Sequence, residues 1–130
     1  MNLKNKKVLV TGGAGFVGSN LVKKLIEEQQ ANVTVLDDLF TGNQNFLKNL
    51  DCRIVHGSVE DDGLVNQLVK HAEVVFHLAA RNIIVSNANP REDLRVNVGG
   101  TFNILEACKI HGIERVVYSS TASVYGNPKT

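Results

Sequence analysis

The sequence predicts an α/β fold built on a doubly wound parallel sheet, and three observations predict it. A short apolar run, Val8-Leu9-Val10, meets a glycine-rich turn, Thr11 to Gly18, and an amphipathic run, Asn20 to Gln29, follows at once. That is strand, turn, helix. Val/Ile-rich runs then alternate with helical patterns along the 130 residues. Those runs lack strict polar–apolar alternation, so each is expected to be buried on both faces, as in a parallel sheet covered by helices.

The elements follow in order. Val8 to Val10 is the first strand, and Gly15 to about Gln29 the first helix. Val33 to Leu36 is the second strand, ending at Asp37-Asp38, and a loop runs from Leu39 to Asn43. Arg53 to His56 is the third strand. Asp61 suits an N-cap for a helix from Asp62 to His71, since its carboxylate can accept an orphan N–H. Val74 to Leu78 is the fourth strand, and Ala79 to Asn89 reads as a loop. Pro90 favours a helix start. Arg91 to His111 reads as one long helix, with Leu94, Val98, Phe102, Leu105 and Ala107 or Cys108 inward. Gly99-Gly100 inside it costs about 1 kcal/mol per glycine and suggests close packing. Gly112 ends that helix, and Arg115 to Ser119 is the fifth strand. About five strands with helices on both faces give a Rossmann-type sheet, with ligands expected at the carboxyl ends of the strands.

Composition narrows the function. The chain is 43% hydrophobic, enough for a core, and its net charge of +1 carries no basic run. Nucleic acid is therefore not an expected partner. Cys52 and Cys108 are the only cysteines. They have no metal or redox spacing and read as reduced, in a cytoplasmic protein. No metal-ligand spacing links the histidines. Met1 to Lys7 is polar and lacks a signal-peptide pattern, and no apolar run reaches membrane-spanning length.

The turn carries the chemistry. Gly12, Gly15 and Gly18 are spaced G-x-x-G-x-x-G. Gly12 allows the tight exit from the strand, Gly15 lets backbone N–H groups approach a pyrophosphate, and Gly18 lets the helix pack closely. The helix N-terminus, with free N–H groups and the positive dipole end, faces the phosphates. Asp37 ends the second strand about 20 residues on, where a carboxylate accepts the adenosine ribose hydroxyls. Asp38 adds a second negative charge, and no Arg or Lys lies between Ala31 and Leu47 to receive a 2′-phosphate. NAD is therefore expected rather than NADP.

These residues resemble the extended short-chain dehydrogenase/reductases, the NAD-dependent sugar-nucleotide epimerases and dehydratases, of which the UDP-glucose 4-epimerases are the nearest kind. Thr11 to Gly18 resembles that family's TGGxGFIG turn, and Leu36-Asp37-Asp38-Leu39 its second-strand signature. Phe76-His77-Leu78-Ala79-Ala80 resembles its HLAA segment, Asn97 to Thr101 its NvxGT helix, and Tyr118 to Gly126 its SS(S/T)xxVYG strand end. The resemblance runs along the chain in the right order. It implies that Phe16 and Val17 meet the pyrophosphate through their backbone. Asp37, Asp38, Leu39, Thr41 and Gly42 would surround the adenosine ribose, and Ser58 and Val59 would flank the adenine. Leu78, Ala79 and Ala80 would line the nicotinamide side, and Asn97 would brace the loops. Thr121 would bond the reacting sugar hydroxyl, with Ser86 and Asn82 near the substrate. One position departs: Ser58 stands where the family has Asp, which leaves the adenine an uncharged partner.

The family's Tyr-x-x-x-Lys pair, whose tyrosine takes the hydroxyl proton while hydride goes to the nicotinamide, lies beyond the S-S-T strand. Tyr125 and Lys129 share that spacing, but Gly126, Asn127 and Pro128 between them argue against the helix it requires. The resemblance thus implies an NAD-binding domain over residues 1–130, truncated before the catalytic helix and the substrate domain, and inactive alone. Its partner would be a UDP- or dTDP-sugar. The exposed fifth strand would favour a homodimer. Two alternatives stay open: a non-catalytic nucleotide-binding module or remnant, and the first part of a hydroxysteroid-type dehydrogenase.

Overall fold

The computed structural model describes residues 2–126. Lys129 of the Tyr125–Lys129 pair therefore lies outside the described residues. Ten elements form the fold: β1 (Lys7–Thr11), α1 (Phe16–Glu27), β2 (Asn32–Asp37), β3 (Cys52–His56), α2 (Asp62–Val69), β4 (Val74–His77), α3 (Ile83–Ala88), α4 (Pro90–Asp93), α5 (Thr101–His111) and β5 (Arg115–Tyr118). The sheet is five-stranded, in the order β3-β2-β1-β4-β5, and every pairing is parallel. The chain winds outward one way from β1 to β3, then returns and winds the other way through β4 and β5. That reversal between β1 and β4 opens a crevice at their carboxyl ends.

Both faces of the central strands β1, β2 and β4 are buried, as their unbroken apolar runs require, whereas β5 is largely exposed. Val8, Val10, Val33 and Val35 pack on one side with Val22 and Leu25 of α1. Leu9, Leu36 and Val75 pack on the other with Val65 and Val69 of α2 and Ile104 and Ala107 of α5. Asp61 caps α2 by accepting the Leu64 N–H at 2.9 Å. Gly112, at φ 64°, ends α5 in the left-handed conformation.

Two expectations are corrected. The stretch from Ala79 to Asn89 is not all loop, because α3 occupies residues 83–88. Asn82 caps it, its Oδ1 accepting the Ile84 and Val85 N–H groups at 3.1 Å each. None of the six residues of α3 is buried, so the sequence carries no apolar period to reveal it.

The second correction concerns the long helix. Leu94, Val98, Phe102 and Leu105 face outward, 60%, 59%, 60% and 50% exposed, whereas Val96, Ile104, Ala107 and Cys108 face the sheet. The segment Leu94–Gly100, which joins α4 to α5, is a π-helix. Its wider turns shift the register that a 3.6-residue period assumes. Gly100 sets the inward face: a Cβ there would meet Val59 Cγ2 at 2.3 Å. A glycine that lets two elements touch outranks larger apolar residues that find no cover.

The two neighbouring glycines give opposite predictions. A Cβ at Gly99 would meet only the Leu94 carbonyl oxygen, at 3.8 Å. Gly99→Ala is expected to stabilise the fold by about 0.5–1 kcal/mol through chain entropy. Gly100→Ala is expected to cost about 1–3 kcal/mol through overpacking against Val59. Urea unfolding of both variants measures the two signs.

Candidate functional site

Gly12 turns the chain out of β1 at φ 69°, and a Cβ there would meet the Ala79 nitrogen at 2.7 Å. The residue must therefore lack a side chain for both reasons. Gly18 is as constrained: its Cβ would lie 2.1 Å from the Gly12 carbonyl oxygen. Its lack of a side chain brings α1 down onto the turn's own backbone rather than onto the sheet. The N-cap of α1, Gly15, offers no side-chain cap. The N–H groups of Phe16, Val17 and Gly18 have no acceptor among the described residues, so the positive end of α1 is open to an anion.

Asp37, only 7% exposed, ties this turn to the end of β2. Its Oδ2 accepts the Ala14 N–H at 2.9 Å and its Oδ1 the Leu39 N–H at 2.8 Å. Leu39 thereby stands at φ 58°, a conformation costly for a branched side chain. Each carboxylate oxygen retains a lone pair for a ligand hydroxyl.

One pocket brings most of the predicted residues together: Gly12, Gly15, Asp37, Asp38, Thr41, Gly42, Val59, Leu78, Ala79 and Ala80. Phe16 and Val17 stand outside its wall with exposed side chains, in keeping with a role through the backbone. Ser58 does not line it. Its hydroxyl is engaged with Glu60, accepting the Glu60 N–H at 3.2 Å and lying 3.3 Å from the carboxylate. Leu36, Gly57, Val96 and Arg81 also line the pocket, and sequence reasoning missed them. Arg81 matters most, because it puts a guanidinium beside Asp38, at 2.6 Å. The stretch from Ala31 to Leu47 is free of cations, yet the pocket is not. Only the adjacency of Arg81 to Ala80 pointed toward it.

A second hollow, across β4, is lined by Asn97, Thr101, Tyr118, Thr121 and His77. Asn97 braces the β4 exit: its Oδ1 accepts the Arg81 N–H at 2.7 Å and its Nδ2 donates to the Arg81 carbonyl at 3.0 Å. Thr121 Oγ1 accepts the Ser123 N–H at 3.1 Å, which leaves its proton free for a ligand. Ser86 lines neither hollow; its hydroxyl sits 2.6 Å from the Asp93 carboxylate.

His77 is sealed beneath this floor, 1% exposed, with Tyr118 stacked on it at 5.6 Å. Thr101 gives its hydroxyl proton to the Asn97 carbonyl at 2.6 Å, so its oxygen accepts from His77 Nε2 at 2.9 Å. Nδ1 then accepts the Thr11 hydroxyl at 2.7 Å, and Thr11 Oγ1 accepts the Leu78 and Ala79 N–H groups at 3.3 Å each. The network fixes a neutral imidazole, and burial lowers its pKa to about 4. His77 is thus a brace between β1, β4 and α5, not a proton carrier. Among the described residues no cluster of His, Cys, Asp and Glu could hold a metal ion. No helix among the described residues is long and apolar enough to cross a membrane.

Comparison with known proteins agrees with this geometry. Residues 8–130 match the NAD dependent epimerase/dehydratase family. The putative UDP-glucose 4-epimerase of Methanocaldococcus jannaschii is 44% identical over 124 residues, covering 93% of this chain and 40% of that protein. The dTDP-glucose 4,6-dehydratase of Mycobacterium tuberculosis is 44% identical over 127 residues, covering 93% of this chain and 38% of that protein. The crystal structure of Thermus thermophilus UDP-glucose 4-epimerase complexed with NAD superposes with a TM-score of 0.81 at 36% identity, over 88% of this chain and 37% of that one. The chain thus spans about two fifths of the length of these proteins.

The neutral His77 makes stability pH-dependent. Its pKa is lower folded than unfolded, so the unfolded chain binds the extra proton as pH falls below the ordinary value of 6.5. Stability present above that value is lost on the way down to about pH 4. The expected loss between pH 7 and pH 5 is about 2 kcal/mol by urea unfolding, and His77→Gln should flatten it. A wild-type stability constant over that interval counts against a buried neutral imidazole.

Proposed function

The chain belongs to the NAD dependent epimerase/dehydratase family, and on that premise we propose that it is the NAD-binding portion of an enzyme acting on a nucleotide sugar. The observation that carries this reading is the carboxylate of Asp37, which clamps the glycine turn and opens into the same pocket. The cradle fits the cofactor: Gly15 lines the pocket with no protein atom but the Gly12 carbonyl oxygen near where its side chain would stand, and the donors at the start of α1 are free. Bound NAD would supply reversible hydride acceptance.

The chain's own residues do the rest. The N–H groups of Phe16, Val17 and Gly18 receive the pyrophosphate, and Asp37 accepts the ribose hydroxyls. Val59 flanks the adenine, and Leu78, Ala79 and Ala80 wall the nicotinamide side. Asn97 and His77 hold that wall from behind. Thr121 orients the reacting sugar hydroxyl, and Ser86 joins it only by turning away from Asp93. The substrate class, a UDP- or dTDP-linked hexose, is supported by the names of the relatives. No described residue is assigned the proton transfer: Tyr125 is 79% exposed at the end of a 3₁₀ turn. Free, separate Cys52 and Cys108 suit a reducing cytoplasm.

A homodimer is part of this reading. Leu94, Val98, Phe102 and Leu105 recur at spacings of about one turn and form an exposed apolar stripe. A second copy covering the same stripe would bury both, as two-fold symmetry allows. The β5 edge, with Val117 and Tyr118 partly exposed, is the lesser surface.

Calorimetric titration is expected to show one saturable NAD site, weakened about tenfold or more by Asp37→Asn, the scale of a charge-assisted hydrogen bond. No binding at millimolar NAD would falsify the proposal. Analytical ultracentrifugation is expected to find a dimer that Phe102→Asp converts to a folded monomer. A monomeric wild type at high concentration rules the stripe out as an interface.

A further inference from the structure

Arg81 is the residue that neither the turn nor the family signature accounts for. It leaves β4 just past Ala80, and its backbone is gripped on both sides by Asn97. Its side chain, 10% exposed, crosses to the far side of the pocket. There Nη2 meets Asp38 Oδ2 at 2.6 Å, and Nε meets Glu92 Oε1 at 2.7 Å. The guanidinium also covers the Phe40 ring at 4.2 Å. Three separate stretches thus converge on one cation: the β2 exit, the β4 exit and α4.

The cation lines the same pocket as Asp37. A guanidinium presents a rigid fork of donors that suits phosphate as well as carboxylate. Here Nε and Nη2 are each taken by a carboxylate, and Asp37 adds a third negative group. The rim therefore carries more negative than positive charge despite holding an arginine. A hydroxyl meets acceptors there; a phosphate meets the repulsion of carboxylates that already hold the guanidinium.

Resting on the reading that this pocket binds NAD, we propose that Arg81 is a specificity-determining residue, held by Asp38 and Glu92 so that the pocket accepts a free 2′-hydroxyl and rejects a 2′-phosphate. The arginine is a latent phosphate receptor, and Asp38 is what keeps it latent. Removing Asp38 frees one arm of the fork at the rim where the ribose lies, while Glu92 continues to hold the other. The effect depends on Arg81 itself and not only on the loss of a negative charge, which separates this role from simple repulsion and from a purely structural strut.

The experiment titrates NAD and NADP into the whole chain by calorimetry, in the wild type, Asp38→Ser and the double variant Asp38→Ser with Arg81→Ala. In Asp38→Ser the ratio of the NADP to the NAD dissociation constant is expected to fall at least about tenfold, the scale of one charge-assisted hydrogen bond. In the double variant the fall is expected to vanish. Should the serine variant fail to fold by circular dichroism, Asp38→Asn replaces it, with the same direction expected. A ratio unchanged by losing Asp38, or lowered equally with and without Arg81, overturns the inference while leaving NAD binding intact. A wild type that binds neither nucleotide overturns the functional reading, and this inference with it.

Discussion

The carboxylate of Asp37 is the contact on which the ligand end of this fold depends. A parallel sheet leaves its strand ends unconnected to one another, and loops must supply the links. Asp37 does so by accepting one N–H from the glycine turn after β1 and one from the loop after β2. Both donors are near-buried groups that would otherwise lack partners, at a cost of about 1–3 kcal/mol each. The same bonds hold Leu39 in a left-handed conformation, a strain that persists only where the surroundings over-determine it. The group that would receive the ribose is therefore the group that shapes the receptacle.

A second link ties β1 to β4 in similar fashion. Thr11, at the last position of β1, feeds its proton to His77 and takes two N–H groups from the β4 exit. His77 passes the connection on to Thr101 and so to the carbonyl of Asn97. Asn97 in turn grips the backbone of Arg81. Each step has one proton and one acceptor, so the chain of bonds has a single direction and admits no protonated imidazole. Burial and hydrogen bonding act together here, which is why the wall stays neutral and rigid beside a charged rim.

Much of this was legible in the sequence. The strands announced themselves because each apolar run is bounded by glycines, acids or polar pairs, and the G-x-x-G-x-x-G turn lies where strand meets helix. Of the pocket residues, Gly12, Gly15, Asp37 and Asp38 followed from the glycine spacing and the end of the second strand, and Thr41, Gly42, Val59, Leu78, Ala79 and Ala80 from the family resemblance. What was hidden was of two kinds. The helix α3 buries nothing and so has no period to read. Arg81 pairs with Asp38, 43 residues away in sequence, and no local pattern encodes that distance.

The long helix shows a subtler failure. Its sequence carries two apolar stripes, and size alone favoured the one with Leu94, Phe102 and Leu105. The structure buries the other, because the bare backbone at Gly100 packs directly against Val59 past the β3 exit. Hydrophobic area is proportional and non-directional, so it cannot choose between two comparable faces. Steric fit can: a glycine permits a contact distance that any side chain forbids, and the π-helical turns of Leu94–Gly100 carry the register from that contact into α5. Burial of the smaller stripe then leaves the larger one outside. An apolar face excluded from its own core by a packing constraint is available for a partner, and no change of fold is needed to present it.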